Sequence, residues 1–168
     1  MAAGTGRLSK LAALLLAAGV ALQALPAAAL DGREAGQVVA ILEKLAAETG
    51  DGVYFDEEAA EEWFEIDEES SRLISGAGFT RATWKTAFDR TMTGFIASIP
   101  QAEMEKMMED FMDAIGEVAK MTPGQKEEAM EMLRAEKGNL DSIRARGAEY
   151  REPVGPYVSR LRKVALHK

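Results

Sequence analysis

Ten carboxylates and no base lie between Asp51 and Glu69. The densest part, "DEEAAEEWFEIDEESS" (56–71), sets Glu57/Glu61, Glu58/Glu62, Glu61/Glu65 and Glu65/Glu69 four residues apart. On a helix each such pair shares a face and costs roughly 0.2–0.5 kcal/mol by like-charge repulsion. The first of them recover part of that near a helix N-terminus. Two chemistries fit such a run: a weak Ca²⁺ or Mg²⁺ site of carboxylates, or a docking face for a basic protein. EF-hand spacing is absent, and no His accompanies the Glu-x-x-Glu pairs. A solvated helix face is the ordinary use of such a run. Glu58, Glu61, Glu62 and Glu65 are the candidate contacts for a basic partner.

A methionine cluster is the second feature: Met104, Met107, Met108, Met112, Met121, Met130 and Met132. Methionine adapts its shape, and promiscuous binding surfaces use it heavily. At helical spacing it more often fills a core or a dimer seam. Met104, Met108, Phe111, Ile115 and Val118 alternate by four and three, which is a heptad seam. That seam is expected to be buried, with Met107 and Met112 flanking it and lining a groove for protein clients. Copper chemistry would need a Met-x-x-Met-x-x-Met array with imidazole support, which is missing.

Catalysis has little to work with. The chain has no Cys, and its one His is His167, next to the last residue. No Gly-rich phosphate loop or Ser elbow is present. Glutamates on one open helix lack the contrasting environments that would set an acid apart from a base. No catalytic, cofactor or metal-binding residue is therefore assigned. An enzyme remains a third reading behind two kinds of binding protein.

The first residues carry an address. Arg7 and Lys10 precede an apolar run from Leu11 to Leu25, and Pro26-Ala27-Ala28-Ala29 presents small residues at Ala27 and Ala29. This is the layout of a Sec signal peptide, predicting cleavage after Ala29, a mature chain starting at Leu30 and a periplasmic location. Gln23 and Pro26 interrupt the run, which argues against a membrane anchor. Nothing downstream predicts stable membrane insertion. The leader holds two bases and no acid, so the remainder is two units more negative than the −8 of the whole chain. Such a chain should not bind nucleic acid through a basic surface.

Residues 30–168 read as one domain of helices. Asp31-Gly-Arg-Glu34 is a capping box for a first helix. Asp56 caps a second, running to about Ile74. Thr80 caps a third, which Pro100 breaks. Residues 101–121 carry the heptad seam. The short link Val53-Tyr54-Phe55 is too brief to argue for a sheet. An all-α, small antiparallel helical bundle of five or six helices follows. The basic stretch from Arg151 ends in a short amphipathic helix, Tyr157 to about Leu166, expected to face the acidic 56–69 helix. The charge of that stretch could alternatively touch anionic lipid headgroups.

"KMTPGQKEEAMEML" (120–133) opens the longest helix. Thr122 and Gln125 can exchange hydrogen bonds, and Pro123 sits where its missing N–H costs nothing. Unbroken phase across Gly138-Asn139 predicts one long helix ending at Glu152-Pro153. Met121-Thr122-x-x-Gln125 also resembles the Leu-Thr-x-x-Gln motif of the Spy/CpxP family of periplasmic helical stress proteins, with Met121 in place of Leu. The resemblance implies a dimeric, helical, ATP-independent chaperone or envelope-stress sensor that cradles unfolded clients. Phe79-Thr-Arg-Ala-Thr83 lacks the Gln of a second copy, and the acidic chain differs from the family's basic cradle. The expected function is an exported holdase-like or sensor protein that binds protein clients and can form a homodimer. The alternative is an acidic inhibitor or adaptor that caps a cationic partner.

Overall fold

A computed structural model describes residues 29–166. The signal peptide expected over residues 1–29, but for its last residue, and His167 lie outside the described residues. Every regular element within them is helical: α1 (Gly32–Thr49), α2 (Ala59–Glu69), α3 (Leu73–Gly76), α4 (Arg81–Ser98), α5 (Gln101–Glu117), α6 (Pro123–Gly147), α7 (Arg151–Val154) and α8 (Val158–Ala165). Single 3₁₀ turns, Ala148–Tyr150 and Gly155–Tyr157, join the last three. The all-α expectation holds.

Asp31 Oδ1 accepts the Glu34 N–H (2.7 Å) and starts α1. Its apolar stripe, Ala35, Val38, Leu42 and Leu45, is wholly buried. Gly50, at φ 79°, supplies the left-handed turn that ends the helix. The Val53 link is not a strand. Its N–H donates to the Val164 carbonyl (2.8 Å) and ties the link to α8. Asp56 Oδ1 accepts from the Glu58 and Ala59 N–H groups (2.9 and 2.8 Å) and caps α2 as expected.

The second helix does not run to Ile74. It stops at Glu69, Arg72 takes φ 52°, and α3 begins at Leu73. Asp67 explains the break. Its carboxylate turns inward, fully buried, and accepts the Leu73 and Ile74 N–H groups (2.7 and 2.8 Å). Those donors would otherwise be orphans at the start of α3.

α4 is the central helix, packed against α1, α2, α6 and α7. Thr80 and Thr83 form a reciprocal capping box at its start. Trp84, Phe88, Met92 and Phe95 are buried along it, and Trp84 Nε1 donates to the Ala60 carbonyl (2.9 Å). At its other end Arg144 of α6 donates to the Ile96 and Ile99 carbonyls (2.9 and 2.7 Å), satisfying last-turn acceptors. The crossing with α6 is set by glycine. A Cβ on Gly147 would overlap the Thr93 carbonyl, and one on Gly94 would lie 2.8 Å from Tyr150 Cβ.

Pro153 and Pro156 do not end the helical path. Each falls in the first turn of a short helical segment, where no intrahelical N–H is required. The basic C-terminal helix also faces elsewhere than expected. Arg160 pairs with Glu43 of α1 (2.5 Å), and Arg162 with Glu103 of α5 (2.5 Å). The acids of α2 pair with Arg81 instead, which follows them directly across the α3 turn. The nearer base satisfies them at lower loop-closure entropy.

Candidate functional site: a charged cleft opening onto an apolar arm

α5 and α6 form a helical hairpin whose turn end extends past the packed body. Thr122 caps α6: its Oγ1 accepts the Gln125 N–H (3.3 Å), and Gln125 Oε1 accepts the Thr122 N–H (2.9 Å). Pro123 occupies the first helical position. Lys126 Nζ reaches back to the Gly116 carbonyl (2.5 Å) and closes the last turn of α5. The stretch Thr122-Pro123-Gly124-Gln125 is therefore the fixed tip of the hairpin. α6 runs unbroken through Gly138-Asn139, as its phase predicts.

The heptad seam of α5 is buried only at its start. Met104 and Met108 are covered, Ile115 is half-buried, Phe111 is 62% exposed and Val118 is 41% exposed. The expectation of a fully buried seam is thus overturned. Its reason is geometric: Met104 and Met107 lie against the main core, whereas further along α5 the principal neighbour is α6. At about 100° per residue Phe111 lies roughly 60° to one side of Met108 and about 20° beyond the buried Met104, so its exposure follows from its position along α5 and not from its face. Met107 and Met112, expected to be the exposed pair, are both half-buried. Met107 packs on the main core. Met112 faces the opposite side of the hairpin, in a small hollow of about 140 Å³ shared with Leu133, Arg134 and Lys137.

On α6, Met132 is 69% exposed and points, by the same phase count, to the side that Phe111 occupies. Glu136 lies one turn further along that face. There the arm meets a cleft of about 890 Å³ between α4, α6 and the link before α2. Ile96, Leu140 and Ile143 form its apolar floor, with Phe55 and Tyr150 as aromatic walls. Lys85, Arg90 and Arg146 face five carboxylates: Asp56, Glu57, Asp89, Glu136 and Glu149. Arg90 lies over the Tyr150 ring, 5.8 Å from its centroid, and Lys85 Nζ donates to the Glu57 carbonyl (3.2 Å). Burial pushes the Asp89 carboxyl above its ordinary range. Lys85 and Arg146 pull it down by less.

The four predicted glutamates lie apart from this surface. Glu61 is paired with Arg81, and Glu65 lies 3.4 Å from the same guanidinium. Glu62 accepts the Tyr54 hydroxyl, and its carboxylate pushes that phenol up to about 12. Glu58 is exposed at the start of α2, its carbonyl taken by the Glu61 and Glu62 N–H groups. α2 packs on α4, whereas α5 packs on α6, so the structure does not gather the glutamates and the methionines into one site. Among the described residues no group of three or more acids or imidazoles is placed to hold a metal ion. No described helix is long and apolar enough to cross a membrane.

Sequence reasoning missed the cleft. Asp89 and Arg146 sit on helix flanks with no local pattern to single them out. Only the crossing of α4 over α6 brings them together. No family model, curated protein or solved structure matches the chain.

Proposed function

We propose that the chain is an exported periplasmic binding protein of the holdase type, gripping apolar segments of other proteins on the arm and the adjoining cleft without covalent chemistry. One observation carries the reading: large apolar side chains, Phe111 and Met132, stand exposed on the face of the hairpin that leads into the cleft. Exposed apolar surface of this kind marks interaction sites. Methionine along the arm allows repacking around unlike partners. The leader-like first residues supply the location. The resemblance of Met121-Thr122-x-x-Gln125 to the Spy/CpxP motif belongs to the same reading, as the cap that fixes the arm's tip.

The test is suppression of aggregation of unrelated unfolded clients by the purified protein and by Phe111→Ser/Met132→Ser. Both substitutions are at exposed positions and should change stability by no more than about 0.5 kcal/mol each. Loss of suppression with an unchanged melting temperature is expected. Full suppression by the double variant would remove the arm from the mechanism. Mass spectrometry of the N-terminus of the exported form, expected at Leu30, checks the location.

A further inference from the structure

We propose that the groove selects cationic amphipathic segments. A Lys or Arg of the bound chain sits against Asp89 in the cleft, while its apolar side chains lie along Leu140, Phe111 and Met132. This rests on the reading of arm and cleft as a client site and adds the chemistry of the client.

Asp89 is the starting point. It projects from α4 into the cleft and is half-buried. Among the described residues its carboxylate takes part in no hydrogen bond and no ion pair. A half-buried carboxylate with no donor at bonding distance gains from a cationic partner, which offsets its partial loss of water. The cations around it are not that partner. Lys85 is bonded to the Glu57 carbonyl, Arg90 lies over Tyr150, and Arg146 acts only through space. Among the described residues none of the three brings a donor within bonding distance of the Asp89 carboxylate. A cationic side chain entering the cleft would supply one.

The surroundings favour the same occupant. Four further carboxylates face the cleft against three cations. Beyond it, α5 carries six acids and one base between Gln101 and Glu117. Two of the six are paired, Glu103 with Arg162 and Asp110 with Lys106, and the other four leave the helix net negative beside the exposed apolar face. That field attracts cationic chains and sets their orientation. It also repels a second copy, whose own α5 would bring the same charge. Apolar residues at helical spacing on one side and bases on the other are what such a groove accommodates.

Two fluorescein-labelled synthetic peptides decide the matter. They share one apolar pattern and differ only in Lys or Gln at the polar positions. Anisotropy titrations of the purified protein should show the Lys peptide binding about tenfold tighter at low salt, a preference that shrinks in high salt. Asp89→Asn should reduce that preference to about threefold or less while the melting temperature stays level or rises, since a desolvated charge is removed. Phe111→Ser should weaken both peptides alike. Equal affinity for the two peptides, or an undiminished preference in Asp89→Asn, would overturn the cationic selection while leaving a general groove intact if Phe111→Ser still acts. Binding of neither peptide, or a Phe111-dependent dimer that the Lys peptide does not displace, would sink the groove reading and this inference with it.

Discussion

Two glycines in the same helix should respond oppositely to the same substitution. Gly138 lies in α6 with no left-handed φ, and nothing comes within 4 Å of where a Cβ would stand. Alanine there recovers helix propensity and should stabilise by roughly 0.5–1 kcal/mol. Gly147, nearer the end of the helix, faces the backbone of Thr93 at the α4–α6 crossing, and its Cβ would overlap that carbonyl. A backbone group cannot move aside by changing rotamer, so the helices must separate. Overpacking of this kind costs about 1–3 kcal/mol or more, against the same propensity gain of about 1 kcal/mol. Gly147→Ala should therefore destabilise by roughly 1–2 kcal/mol, leaving a gap of about 2–3 kcal/mol between the variants. At roughly 4 °C per kcal/mol for a domain of this size that is about 10 °C in melting temperature. Urea unfolding of both variants, with unchanged slope, gives the free energies directly. The crossing also sets the wall of the cleft, because Thr93 and Tyr150 line it. Gly147→Ala should thus weaken client binding as well. If it proves as stable as Gly138→Ala, the helices are not held at the separation described, and the cleft's shape is not set by the glycine pair.

Asp67→Ala should cost about 3 kcal/mol in urea unfolding, because two N–H groups at the start of α3 lose their acceptor, and Asp67→Asn, which keeps one acceptor oxygen, should cost about half of that. Thr91 is fully buried in α4, and its hydroxyl has no partner among the described residues, so Thr91→Val should raise stability by about 1 kcal/mol; a loss in thermal melts would mean that an ordered water satisfies it. Hydrogen bonds from Arg160 hold the Glu43 carboxyl below its ordinary range, so the pair stabilises fully above the ordinary carboxylate range and the effect disappears as pH falls through the lowered folded value. With both side chains about a third exposed or more the effect is under about 1 kcal/mol, and the melting-temperature difference between wild type and Glu43→Gln should be present at neutral pH and absent in strong acid.

The helices are legible in the sequence wherever one residue type carries the decision. Thr80, Thr122-Pro123 and Asp31 start helices because their oxygens reach orphan N–H groups within three residues, a local matter that needs no fold. The break after α2 is less legible. Asp67 looks like one more acid in a solvated run, yet it stands four residues after Trp63, in phase with the buried Ala60 and Trp63. A carboxylate at the next position of an apolar stripe is a sign that the side chain turns inward, and an inward carboxylate needs donors. The α3 turn provides them. The overall excess of acid conceals an acid that the core uses.

The pairing of the acidic run is hidden in the sequence for a related reason. Charge density says how many carboxylates there are and nothing about which bases the fold places beside them. Arg81 and Tyr54, next to α2 in sequence, take up Glu61, Glu62 and Glu65, while the distant C-terminal bases go to Glu43 and Glu103. Asp89, a half-buried carboxylate without a donor among the described residues, lies in a stretch with no excess of acid at all. The methionine stripe misleads the other way. Its period is helical as expected, but a seam is buried only as far as a neighbour extends, and α5 outruns the body after Met108. The same residues that would close a bundle stand open as Phe111 and Val118. The surface proposed to bind partners arises where a core pattern continues past the core, beside a half-buried carboxylate that has no donor among the described residues.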